Sequence, residues 1–203
     1  MDKKKLIALI VIIVAIVAAF FVMGNFGLNI TNDQRNSSNS LNGSVDGDKI
    51  LIVYFSQTGN TETIANDIHE KVGGNLVKLE TVKPYTSNYD DLSDYALEEK
   101  NNNSRPELKT NITNIDDYDV IFLGYPIWWS TCPMPIMSFL DSYDLSDKTI
   151  IPFATHGGSG LSGTDELIKN NTNATVLEGF DVTGSSAGNA KNDVNNWLDR
   201  IGF

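Results

Sequence analysis

Ser56-Gln57-Thr58-Gly59-Asn60-Thr61 packs hydroxyl and amide groups around one glycine, directly after the apolar run Lys49-Ile50-Leu51-Ile52-Val53-Tyr54-Phe55. This chemistry suits an anion held without a cation, because no lysine or arginine lies in the loop. The apolar run reads as a buried parallel strand. Ile64, Ala65, Ile68 and Val72 recur at helical spacing after the loop, so the loop falls at a helix N-terminus. Unpaired N–H groups and the positive end of the helix dipole favour a phosphate there. A Walker loop would end in Gly-Lys-Ser/Thr, and a dinucleotide fingerprint would carry three glycines. Neither occurs here. The competing interpretation is a Ser/Thr-rich turn capped at Asn60 or Thr61.

Two further segments carry chemistry-bearing residues: Tyr125-Pro126-Ile127-Trp128-Trp129 and Thr155-His156-Gly157-Gly158-Ser159-Gly160. Adjacent tryptophans bring two large apolar surfaces and two indole N–H groups that need partners. Either one alone could simply plug the core. His156 could relay a proton or tune charge near neutrality, or it could merely hydrogen-bond within its loop. No carboxylate partner for it can be located from the sequence. His69 falls on the outer face of the first helix and reads as solvated. Cys132 is the sole cysteine, which rules out an intramolecular disulfide, a dithiol centre or a cysteine-ligated cluster. It reads as a packed thiol, and no metal site is expected. Redox chemistry would have to come from a bound organic cofactor.

The elements that must position these loops alternate. Strands are expected at 49–55, 75–80, 119–124, 149–154 and 175–179, with helices over 60–72, weakly over 92–99, over 135–143, up to about 170, and at the C-terminus around Val194, Trp197, Leu198 and Ile201. This predicts an α/β fold, a doubly wound five-stranded parallel sheet of order 2-1-3-4-5. Ligands in such sheets sit outside the carboxyl ends of the strands at the switch point. The three loops follow the first, third and fourth strands, which are neighbours in that order. Together they form a slot for a flat heteroaromatic ring on a phosphorylated chain, a description that FMN fits.

The N-terminal region is organised differently. Leu6–Met23 is an uninterrupted apolar run after Lys3-Lys4-Lys5, long enough to span a bilayer. The lysines predict a cytoplasmic N-terminus with the rest of the chain outside. The run exceeds the hydrophobic core of an ordinary signal peptide, so residues 1–28 read as an uncleaved anchor, with a cleaved signal and secretion as the alternative. Residues 29–48 read as a flexible Asn/Ser/Gly/Asp linker, and 49–203 as the folded domain. Asn-x-Ser/Thr triplets, as at Asn36 and Asn111, suit an exported chain. The net charge of −11 argues against nucleic acid as a partner and would steer toward a basic protein face.

The runs Gly124-Tyr125-Pro126-Ile127-Trp128-Trp129, Pro133-Met134-Pro135, Phe139-Leu140-Asp141-Ser142-Tyr143-Asp144-Leu145 and Pro152–Gly160 resemble the flavodoxin-like family of short, single-domain FMN proteins. The resemblance covers residues 49–203. It implies a flavodoxin fold and non-covalent FMN, its phosphate held by Ser56, Gln57, Thr58, Gly59, Asn60 and Thr61. It places Pro126, Ile127, Trp128 and Trp129 against the isoalloxazine ring and brings Thr155, His156, Gly157 and Gly158 to its other edge. Ser130 departs from the glycine common in these relatives, at a peptide whose flexibility bears on how the flavin takes up single electrons. The expected function is an FMN electron-transfer protein tethered to the outer face of the cell membrane, exchanging electrons with a redox partner protein or a quinone. An FMN-dependent NAD(P)H:quinone-type reductase and a flavin-free binding domain are the alternatives.

Overall fold

A computed structural model describes residues 45–203. The expected membrane span and nearly all of the linker lie outside these residues. Among the described residues no helix is long and apolar enough to cross a membrane.

The core is a parallel sheet. Strand β1 (Ile50–Tyr54) is buried along its whole length. It pairs with β2 (Asn75–Lys78) on one side and β3 (Val120–Pro126) on the other. β3 pairs in turn with β4 (Thr149–His156). Alternate residues of each strand feed opposite faces. Ile52, Phe122 and Ile151 pack under helices α1 (Asn60–Val72) and α5 (Lys191–Ile201), through Ile64, Ile68, Val194 and Trp197. Leu51, Val53, Ile121 and Leu123 face α3 (Met134–Ser142) and α4 (Thr164–Asn170), through Ile136, Phe139 and Ile168. Both faces are covered, which is why the strands read as continuous apolar runs rather than alternating ones.

The order β2-β1-β3-β4 and a fifth position beyond β4 match the expected topology, but the sheet has six strands rather than five. The fifth position is filled twice. β5 (Thr175–Val176) pairs with Thr149 and Ile150, and β6 (Phe180–Thr183) pairs with Phe153 to His156. The single strand expected over 175–179 is therefore interrupted and resumes later. The cause lies in β4. Ile150 accepts from the Leu177 N–H, so Pro152, two residues on, faces the same neighbour and has no N–H to give it. The ladder breaks there and restarts at Phe153 with the partner strand advanced by one residue.

α2 (Tyr89–Asn101) lies between β2 and β3 in sequence and is longer at both ends than the periodicity suggests. Asn88 caps it by accepting the Asp91 N–H at 3.0 Å, with Asp90 and Asp91 in the first turn. Between the strands' carboxyl ends the packing is close enough to demand glycine at position 124. A Cβ there would lie 2.1 Å from the Phe153 ring.

Candidate functional site

The carboxyl ends of β1, β3 and β4 bring the three expected loops together. After β1 the chain turns at Gly59, whose φ of +90° is one that L side chains rarely adopt, and enters α1. Ser56 folds back over this turn, and its hydroxyl accepts the N–H groups of Gly59 at 3.2 Å and Glu62 at 3.3 Å. The backbone N–H groups of Thr58, Asn60 and Thr61 make no hydrogen bond to another described residue. Unpaired donors at the start of a thirteen-residue helix form an anion seat by geometry as well as by composition. Gln57 ties the rim to the segment before α2, its amide donating to the Thr86 carbonyl at 3.0 Å.

Thr155 joins the three loops. Its hydroxyl lies 2.8 Å from that of Thr61, and both residues are buried. Its carbonyl accepts the Ile127 N–H at 2.8 Å. Thr61 thus spends part of its hydrogen-bonding capacity on bracing the cradle against β4, a role that the loop sequence alone does not disclose.

The two tryptophans face different surroundings. Trp128 turns inward and meets Phe55 and Tyr85 edge-on, with ring centroids 5.4 and 5.5 Å away. Trp129 is 46% exposed. The chain reverses between them and Thr131, with Trp128 and Thr131 exchanging both backbone hydrogen bonds at 2.9 and 3.0 Å. Trp129 and Ser130 have φ of +50° and +60°, the pattern of a type I′ turn that usually takes Asn-Gly. Each non-glycine residue held there costs about 1–2 kcal/mol. A glycine would suit position 130 for the same reason. Helix α2 steadies the turn. The Trp129 indole N–H donates to the Ser93 carbonyl at 2.9 Å, and the Lys100 ammonium donates to the Trp129 carbonyl at 2.6 Å.

Behind this hairpin lies a buried acid. Glu99 is only 5% exposed and accepts the Tyr85 hydroxyl at 2.6 Å. Burial pushes the Glu99 carboxyl above its ordinary range, and burial with the Glu99 hydrogen bond pushes the Tyr85 phenol well above its own. Tyr85 is thus pinned at its hydroxyl while its ring braces Trp128. Neither residue was singled out in the sequence, because Tyr85 lies in a polar stretch ahead of the weakly patterned helix and Glu99 is one of several acids on that helix.

The third loop supplies the partner that the sequence could not place. The Gly158 N–H donates to His156 Nδ1 at 2.9 Å. Nε2 therefore carries the imidazole proton and donates to Asp181 at 2.8 Å. Asp181 stands on β6, beyond the interruption in the fifth strand. Both ring nitrogens are occupied, so proton transfer through His156 would first have to break one of these bonds. The exposed Gly157 and Gly158 leave the loop's outer edge open. Cys132 is fully buried, 3.8 Å from the Met137 sulfur, and burial pushes its thiol up to about 12, so it stays protonated and inert. His69 is exposed on α1.

A doubly wound sheet with an uncharged anion cradle and an aromatic loop at its switch point defines a nucleotide-cofactor-binding protein of the flavodoxin type. The sequence profile of the flavodoxin family matches residues 49–201, and the chain belongs to that family. It is 34% identical to a protein from Bacteroides eggerthii assigned as a flavoprotein, over 76% of this chain and 98% of that one, with a TM-score of 0.66. A counterpart from Bacteroides uniformis is 33% identical over 76% and 99% of the two chains, with a TM-score of 0.67. A Lactobacillus acidophilus flavoprotein in complex with FMN shares the fold at 21% identity, over 74% and 98% of the chains, with a TM-score of 0.60. No curated protein matches the sequence. FMN is the cofactor of the family, and the unpaired N–H groups and hydroxyls of the cradle match the demands of its phosphate.

Proposed function

We propose that this protein is an FMN-dependent electron-transfer protein, held at the outer face of the cell membrane by its N-terminal apolar segment. The observation that carries the redox reading is the cradle. Unpaired N–H groups of Thr58, Asn60 and Thr61 meet a hydroxyl-rich rim beside an aromatic hairpin, with no cation to favour a nucleoside triphosphate. In this reading Ser56, Gln57, Thr58, Gly59, Asn60 and Thr61 hold the phosphate. Pro126, Ile127, Trp128 and Trp129 face the ring, and Thr155, His156, Gly157 and Gly158 approach its other edge. FMN supplies the redox chemistry. The protein binds it, orients it and sets the polarity around it. His156 keeps its loop in place through Gly158 and Asp181.

The tether rests on the apolar run after Lys3-Lys4-Lys5 and on its length. The acidic domain surface favours a redox partner with a basic face.

The test is an absorbance spectrum of the purified chain with FMN, followed by anaerobic titration with dithionite. Two flavin bands that bleach on reduction are expected, and reduction in two resolved steps marks a one-electron carrier. Failure to bind FMN would overturn the redox reading. A reporter fused after Phe203 should be active only outside the membrane, and a cytoplasmic signal would overturn the tether.

A further inference from the structure

Between α2 and the aromatic hairpin lies a cavity of about 290 Å³, near the lower end of the ~300–1,000 Å³ typical of small-molecule sites. The helix contributes Tyr89, Leu92, Ser93 and Ala96. The hairpin contributes Ile127, Trp128 and Trp129, the segment assigned above to the ring-facing wall. Two of the three exposed large hydrophobic residues of the described chain, Tyr89 and Trp129, stand at this cavity.

The polar groups narrow the choice of occupant. The Trp129 indole N–H is spent on the Ser93 carbonyl, and the Lys100 ammonium, which keeps its charge, donates to the Trp129 carbonyl outside the lining. The hydroxyls of Ser93 and Tyr89 have no hydrogen-bond partner among the described residues. The lining therefore carries two free hydroxyls, apolar flat surfaces and no cation. The exposed Asp90, Asp91 and Asp94 stand on the same helix segment, and their charge repels a phosphate. A nicotinamide nucleotide meets the repulsion of these three carboxylates, opposed only by the single Lys100 ammonium at the Trp129 carbonyl. A neutral, flat ring with carbonyl acceptors at its edge meets none of it.

We propose that this cavity binds a neutral quinone-type ring, the small-molecule acceptor of the redox site beside it, which would take up two electrons and two protons from fully reduced FMN and leave as the hydroquinone while the flavin returns to its oxidised form. The inference rests on the FMN reading and deepens it by separating a quinone from a nicotinamide nucleotide. Leu92 and Ala96 stack on the ring's flat surface opposite Ile127 and Trp128, and the Ser93 and Tyr89 hydroxyls donate to its carbonyl oxygens.

The experiment is calorimetric titration of the full chain, with and without FMN, using menadione and nicotinamide mononucleotide as probes. Menadione should bind at least about tenfold more tightly than the nucleotide. Leu92→Trp fills the cavity and should weaken menadione at least about tenfold while FMN affinity stays within about twofold. Should Leu92→Trp fail to fold, Leu92→Phe is read in the same way. Equal affinity for the two probes, or menadione binding indifferent to the substitution, overturns the proposal. A parallel loss of FMN affinity also overturns it, because the cavity would then be part of the flavin's own seat. A chain that binds menadione but no FMN refutes the redox reading while leaving the ring site standing.

Discussion

The Ser56–Thr61 cradle and the aromatic hairpin stand together at the carboxyl ends of the strands but are built in opposite ways. The cradle is local. Ser56 reaches Gly59 and Glu62 within a single turn, and its geometry follows from a strand running into a helix. The hairpin is held from a distance. Its turn is strained at Trp129 and Ser130, and Ser93, Lys100, Tyr85 and Phe55, from other parts of the chain, keep it in place. On the proposed reading, the ligand's charge is gripped by local backbone and its ring by imported side chains, so that Ser56 and Trp129 can be altered separately.

The largest expected effect removes the floor beneath the hairpin. Gly124→Ala drives a methyl into the Phe153 ring and should destabilise the fold by about 3 kcal/mol or more, read as a drop in the urea midpoint. An unchanged midpoint would mean that β3 and β4 can separate freely. Thr61→Val comes next. It leaves the buried Thr155 hydroxyl without its partner, at a cost of about 1–3 kcal/mol, and it should loosen cradle and hairpin together because Thr155 touches both. Ser56→Ala acts on the cradle alone. Loss of its two accepted N–H bonds should cost about 1 kcal/mol of stability and about tenfold in FMN affinity, with the Trp128 environment unchanged by near-ultraviolet circular dichroism.

Glu99 provides a pH test of the imported wall. Burial raises its carboxyl above 4.5, so the folded protein holds this proton more tightly than the unfolded chain does. Its penalty is absent below about pH 4.5, grows as pH rises from there, and is complete above the raised folded value. Each pH unit of that window is worth about 1.4 kcal/mol. Glu99→Gln keeps an acceptor for Tyr85 and should flatten this part of the stability profile. A profile identical to that of the parent chain would show that Glu99 does not titrate there. The smallest effect belongs to Lys100→Met. Its bond to the Trp129 carbonyl is exposed and should contribute at most about 0.5 kcal/mol, detectable as faster amide exchange at Trp129–Thr131 rather than as a change in global stability.

The same contrast explains what could be read from the sequence. Ser56–Thr61 was legible because strand, glycine turn and helix start are adjacent in the chain. The strand order was legible because buried parallel strands leave long apolar runs. Asp181 was not, since it lies twenty-five residues from His156 in a strand displaced by Pro152, and no local pattern announces that displacement. Helix α2 was read as weak because its important side chains face a hairpin rather than a sheet. Glu99, the most buried carboxylate on it, looks like an ordinary charge among Asp90, Asp94 and Glu98. The division of labour between Trp128 and Trp129 depends on a reversal at Ser130, a residue that does not advertise a left-handed backbone.

The break in the fifth strand has one more consequence. An unbroken row of donors and acceptors along a sheet margin is an invitation for an extended segment of another chain to add itself. Here the row is cut between Val176 and Phe180 and resumes one residue out of step. An incoming strand that matched one half would miss the other, so this margin resists the end-to-end zippering by which crowded β-proteins clump.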